Sequence, residues 1–166
     1  MTQPQLPVEG RLLGQQVGYP SVYTPGILLP VPRHLNRVQY GIDDKALPFI
    51  GVDVWHAYEA GFMTLKGLPV AGLLKIVYPC NSPFLVESKS LKLYLNSFNM
   101  ERIGATIDEG VQQFLQTVRA DLQKVLECTV EVNFFVTKPS NLPYDFHGYK
   151  ILEQMPGCES LEFDHF

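Results

Sequence analysis

The alternation of apolar and polar positions divides the chain into an unpatterned arm, a strongly patterned middle and an unpatterned tail. Residues 49–59 are rich in β-branched and aromatic side chains. Ile50, Val52 and Val54 alternate with Gly51 and Asp53, which predicts a strand. The string Leu65, Lys66, Gly67, Leu68, Pro69 carries turn residues, and the nearly continuous apolar run over 70–78 then predicts a central strand. Pro79, Asn81 and Pro83 break that run into a loop. From Ser88 the period changes: Leu91, Tyr94, Leu95 and Phe98 fall at helical intervals, with Lys89, Lys92, Asn96 and Asn99 on the opposite face. A second helix follows, with an apolar stripe of Ile107, Val111, Phe114, Leu115, Val118, Leu122 and Val125, and with Thr106 and Glu109 spaced as a capping box. Val130, Val132, Phe134 and Val136 then alternate with Thr129, Glu131 and Asn133, as in a half-buried strand.

This order is an irregular arm over 1–46, a patterned module over 47–138 and a tail over 139–166 with a short strand expected near 161–163. Strands on both sides of a helical pair predict an α+β fold, with the helices covering one face of an antiparallel sheet. The Pro- and Gly-rich arm, lacking any period, is expected to lie across the surface rather than to build the core.

Composition narrows the function classes. Of 166 residues, 46% are hydrophobic and 18% charged, enough for a buried core and unlike a disordered chain. A net charge of -4 with scattered Lys and Arg leaves no footprint for nucleic acid or an anionic membrane. No apolar run is long enough to span a bilayer, and no signal peptide is expected at the N-terminus. Three cysteines, Cys80, Cys128 and Cys158, are odd in number and widely spaced. They suit neither a disulfide framework nor a zinc site and point to a reducing cytoplasm.

The segment with most chemistry is 86–92. Val86 precedes Glu87, Ser88, Lys89, Ser90, Leu91 and Lys92, crowding a carboxylate, two hydroxyls and two ammonium groups at the start of a helix. Unpaired N–H groups there, with Ser88, Lys89 and Ser90, can hold a phosphate. Glu87 can accept two hydrogen bonds from the amidine-like edge of a guanine-type ring. The same residues also read as a plain cap, with Ser88 as N-cap and Glu87 favouring the dipole, and from spacing alone the cap is the commoner case. Other candidates are Arg33, His34, Asn36 and Arg37, as a phosphate-touching or simply solvated loop, and Trp55, Tyr58 and Glu59, as pocket lining or core. Cys80, between two prolines, has no His or Asp pattern beside it and reads as a bystander; Cys128 reads as core. His147 and His165 have no partners at metal spacing, so no metal is expected.

The string ESKSLKLYLNSF at 87–98 closely resembles the signature of the NADPH-dependent 7-cyano-7-deazaguanine reductases, nitrile reductases of queuosine biosynthesis, a tRNA modification, with the tunnelling fold. PRHLNR at 32–37 and LPFIGVDVW at 47–55 resemble the longer, two-module form of that family, and order and spacing fit its amino-terminal module. The resemblance implies that Val86, Glu87 and Ser88 contact the deazaguanine and that Ser88 and Lys89 contact NADPH. It also exposes departures. In the one-module enzymes a catalytic Cys precedes the signature, followed by a Pro-Asp pair; the matching stretch here, 62–70, has Thr64 and Val70 near those positions. The family's Phe-His-Glu string is replaced by Asn99, Met100, Glu101, Arg102, Ile103 and Gly104, so Glu101 is not assigned that role. The resemblance thus implies no catalytic residue in this chain and a second module that supplies the Cys and Asp; the partner expected is that catalytic module or, failing it, further copies of the chain in a homo-oligomer. The alternative is a non-catalytic deazapurine-binding or scaffolding protein of the same fold.

Overall fold

The computed structural model describes residues 20–136. The strand expected near 161–163, together with Cys158, His147 and His165, lies outside the described residues. The order is β1 (Pro30–Pro32), a single-turn helix α1 (His34–Arg37), β2 (Val52–Met63), β3 (Pro69–Pro79), β4 (Phe84–Val86), α2 (Ser88–Asn96), α3 (Ile107–Leu126) and β5 (Glu131–Phe135). Strands β2, β3 and β5 form an antiparallel sheet in that order, and β1 pairs with β4 in a separate two-stranded ladder. The fold is α+β, and α2 and α3 cover one face of the three-stranded sheet, as expected.

The core between sheet and helices follows from period and register. On β3 the even positions Val70, Leu74, Ile76 and Tyr78 are buried, and on α3 Phe114, Val118, Leu122 and Leu126 are buried at helical spacing. Phe114 packs against Phe62, Phe98 and Phe134 with ring centroids 5.5, 4.9 and 5.4 Å apart. Such aromatic pairs are each worth about 0.5–1.5 kcal/mol beyond the area they bury. Helix α3 starts where the capping residues predict: the Thr106 hydroxyl accepts from Glu109 N–H (3.2 Å) and the Glu109 carboxylate accepts from Ala105 N–H (2.9 Å).

Two expectations are corrected. The strand expected over 49–59 instead runs over Val52–Met63, and its Val52 and Val54, 53% and 40% exposed, face away from the helices. The helix-facing positions are Asp53, Trp55 and Ala57, opposite Tyr78, Ile76 and Leu74. A register shift between Ala57 and Ala60 then reverses the parity, so that Ala60 and Phe62 face the core. The arm, expected at the surface, also enters the core. Leu28 and Val31 are buried, Leu29 N–H donates to Ser90 Oγ (3.1 Å), and Thr24 N–H donates to Ser97 Oγ (3.3 Å). Ser90 of α2 and Ser97 at its C-cap thus satisfy arm amides that a strand ladder would otherwise have to satisfy. Tyr23, also from the arm, donates its hydroxyl to Asp121 Oδ2 on α3 at 2.6 Å, and Tyr94 of α2 does the same. Burial first, then the hydrogen bond to Asp121 and its charge, pushes both phenols well above the usual tyrosine range. Among the described residues no helix is long and apolar enough to cross a membrane.

Candidate functional site

The residues singled out at 86–89 lie at the junction of β4 and α2. Glu87 has extended backbone (φ -72°, ψ 131°) and is the N-cap of α2; its carboxylate accepts from Lys89 N–H (3.0 Å) and Ser90 N–H (2.6 Å). Its own N–H donates to Leu29 O (2.9 Å), and its carbonyl accepts from Ser90 Oγ (2.7 Å) and Leu91 N–H (3.0 Å). Each carboxylate oxygen is therefore held by one backbone amide, and Glu87 is only 6% exposed. This revises two points of the sequence reading. The cap is Glu87 and not Ser88, and two of the helix N–H groups expected to be open for a phosphate already face the Glu87 carboxylate. An anion approaching α2 meets the exposed hydroxyl of Ser88 and the half-exposed Lys89 instead. Hydroxyl and ammonium are suitable donors for the phosphate or ribose oxygens of a nucleotide.

Val86, immediately before, is buried, and its N–H donates to the Tyr78 hydroxyl (3.4 Å), which also accepts from Trp55 Nε1–H (3.0 Å). Burial above all pushes the Tyr78 phenol up, so it stays neutral in this position. The segment is thus fixed by β1 on one side and by Tyr78 on the other.

A groove of about 290 Å³ runs between β2 and α2. Ser88, Lys92 and Asn96, four residues apart, form one wall, and Trp55, Tyr58 and Glu59 contribute to the other. The three strand residues considered as pocket lining do line one. Lys92 and Asn96 were legible only as the polar face of a helix.

The basic loop divides between buried and solvated side chains. Arg33 and Arg37 are buried, at 8% and 9% exposure, while His34 and Asn36 are exposed. Arg33 pairs with Asp53 and donates to Ser82 Oγ from Nε (3.1 Å) and Nη2 (3.0 Å). Arg37 donates to Asp44 (2.5 Å) and to the Cys80 carbonyl (2.5 Å). Both arginines therefore clamp the loop between β3 and β4.

The positions near the family's nucleophile and acid have structural partners. Thr64 is buried, and its hydroxyl oxygen accepts from Leu68 N–H (3.1 Å) to close the turn between β2 and β3. Gly67 takes positive φ (85°) in that turn. Val70 is in the core. The Glu101 carboxylate accepts from Tyr23 N–H (2.7 Å), which holds the arm. Cys80 sits partly exposed in the clamped loop, with its N–H donating to Gly51 O (3.0 Å). Cys128 lies before β5, packed against the core as expected, and burial pushes its thiol up.

Residues 19–134 match the family model described as nitrile reductase, 7-cyano-7-deazaguanine-reductase N-term. The NADPH-dependent 7-cyano-7-deazaguanine reductase of Stenotrophomonas maltophilia (strain K279a) is 43% identical over 122 residues, which is 74% of this chain and 43% of that protein. The enzymes of the same name from Chromohalobacter salexigens and Hydrogenovibrio crunogenus are each 39% identical, over 81% and 86% of this chain and 47% and 52% of their own lengths. The chain spans about half the length of the curated relatives it matches. With the family model covering well over half of the chain, the protein belongs to the nitrile reductase family and corresponds to the N-terminal part of the 7-cyano-7-deazaguanine reductases.

Proposed function

We propose that this chain is the substrate- and NADPH-binding half of a nitrile reductase that converts 7-cyano-7-deazaguanine to 7-aminomethyl-7-deazaguanine, and that the nucleophilic Cys and the proton-carrying Asp come from a second module. The carrying observation is Glu87: a nearly buried carboxylate, fixed by two backbone amides, inside the family's signature. Each carboxylate oxygen can accept more than one hydrogen bond, so the cap leaves acceptor capacity for the ring N–H and exocyclic amine of the base. A carboxylate that is already ordered loses little freedom on binding. Val86 closes the segment behind it, and Ser88 adds a hydroxyl at the groove.

NADPH, when bound, supplies hydride. In this chain Ser88 and Lys89 would hold it, through the hydroxyl and ammonium rather than through helix amides. The hydroxyl of Thr64 lies in a turn, bonded to Leu68 N–H, where it serves the backbone. That partnering supports a nucleophile from elsewhere. The exposed apolar residues at one end of the sheet support a second module as its source. Ile50, Val52 and Val54 are 99%, 53% and 40% exposed, and among the described residues β2 has a strand on one side only. An apolar, open-edged strand is a surface that another chain or module covers.

The test is a calorimetric titration of 7-cyano-7-deazaguanine and of NADPH into the chain combined with a Cys-bearing second module. Binding of both, with the deazaguanine lost in Glu87→Ser and NADPH weakened in Lys89→Ala, is the expected result. Binding of the deazaguanine without NADPH would favour a non-catalytic deazapurine-binding protein instead, a reading to which the loss of Cys and Asp at Thr64 and Val70 gives some support.

A further inference from the structure

We infer that Arg33 is a positioning residue for the base-binding segment, an inference that rests on the role given above to Val86, Glu87 and Ser88. The reason begins with β1. Its sequence is Pro30, Val31, Pro32, so only Val31 has an N–H to donate to the ladder with β4. A two-stranded ladder of three residues with one donor on one side is too weak to hold β4 unaided. Yet β4 ends at Val86, directly before Glu87, so any slack in it moves the carboxylate.

Arg33 supplies what the ladder lacks. Its backbone N–H donates to Pro83 O (3.1 Å) at the entrance of β4. Its guanidinium grips Ser82 Oγ twice, and Ser82 Oγ in turn donates to Phe84 O (2.9 Å), the first residue of β4. The guanidinium also lies 5.7 Å from the centre of the Tyr78 ring, whose hydroxyl accepts from Val86 N–H. One buried cation therefore reaches the start of β4 through Ser82 and its end through Tyr78. The pairing with Asp53 fixes the guanidinium against β2 and neutralises it. Its burial and its partners leave it no part in holding a phosphate.

The experiment uses the chain with its Cys-bearing second module and compares Arg33→Ala, Arg33→Lys and Glu87→Ser. Affinity for 7-cyano-7-deazaguanine is measured by calorimetry, and amide hydrogen exchange is measured residue by residue. Arg33→Ala is expected to weaken binding roughly tenfold to a hundredfold. It should also speed exchange at Val86 and Glu87 while leaving the β3–β5 ladder unchanged. Arg33→Lys keeps a charge for Asp53 but not the double contact with Ser82, and should fall between. Wild-type affinity in Arg33→Ala, an affinity loss without faster exchange at the two amides, or faster exchange spread equally over β3 and β5 overturns the inference. If Arg33→Ala fails to fold, Asp53→Asn removes the partner charge at nearly constant shape and is judged by the same two readouts. If Glu87→Ser keeps its affinity, the base-binding role itself fails, and the exchange data alone decide whether Arg33 orders the segment.

Discussion

Glu87 is asked to do two things at once, and replacing it separates them. As N-cap, its carboxylate satisfies the amides of Lys89 and Ser90 at 3.0 and 2.6 Å. Removing a cap of this kind costs about 1 kcal/mol, up to ~2. Loss of a negative charge at a helix N-terminus adds about 0.3–1 kcal/mol. Glu87→Ala should therefore lose about 2 kcal/mol of stability, which for a chain of this size lowers the melting temperature by about 4–8 °C. Glu87→Ser keeps a good N-cap, because a serine hydroxyl reaches the Ser90 amide, and should stay within about 1 kcal/mol of wild type. It offers no carboxylate to a base edge, so the deazaguanine should no longer bind. Thermal unfolding by circular dichroism and calorimetric titration on the same two variants give the comparison. A Glu87→Ala protein as stable as wild type, or a Glu87→Ser protein that melts with Glu87→Ala, would refute the capping argument. Retained binding in Glu87→Ser would refute the recognition argument.

Three further outcomes are expected. Asp121→Ala strands the buried hydroxyl of Tyr94 and frees that of Tyr23, and should cost about 3 kcal/mol in denaturant unfolding; Asp121→Asn, which keeps a carbonyl acceptor, should cost less, and equal losses would contradict the geometry. The raised phenol of Tyr94 makes the protein alkali-sensitive, because the folded state holds a proton that the unfolded chain releases. That contribution is complete below pH ~10 and falls by about 1.4 kcal/mol per pH unit above it; an unchanged slope in Tyr94→Phe would show the cause to lie elsewhere. Val54→Glu places a charge on the exposed apolar face of β2 and should leave the chain's melting temperature nearly unchanged while weakening association with a second module in sedimentation velocity, and unimpaired association would move the interface off this face.

Helix α3, strand β5 and the turn closed by Thr64 were legible because each is written in local periodicity or local turn chemistry. The phase of β2 was not. Its valines alternate as a core strand would, but the register shift between Ala57 and Ala60 reverses the parity midway, and the valines face outward. The arm was missed for a different reason. Pairings such as Pro30 with Val86 and Leu29 with Ser90 join residues about sixty apart, and two prolines erase any strand period. At the site, the position of Glu87 was legible but not its commitment to two amides, which required the helix start to be placed to the residue. The arginines of 32–37 looked like an anion-binding loop because their counterions, Asp53 in one case and Asp44 in the other, were not apparent as partners from sequence order. Tyr78 read as one more apolar strand residue, since nothing local shows that its hydroxyl meets Trp55 and Val86.

The central claim is that this chain brings the binding groups and another module brings the nucleophile. It is tested most directly by following NADPH oxidation spectrophotometrically with 7-cyano-7-deazaguanine, first with the purified chain and then with a separately prepared Cys-bearing second module added. No oxidation by the chain alone and sustained oxidation after the addition is the predicted result. Oxidation by the chain alone would contradict the account and place a nucleophile within it.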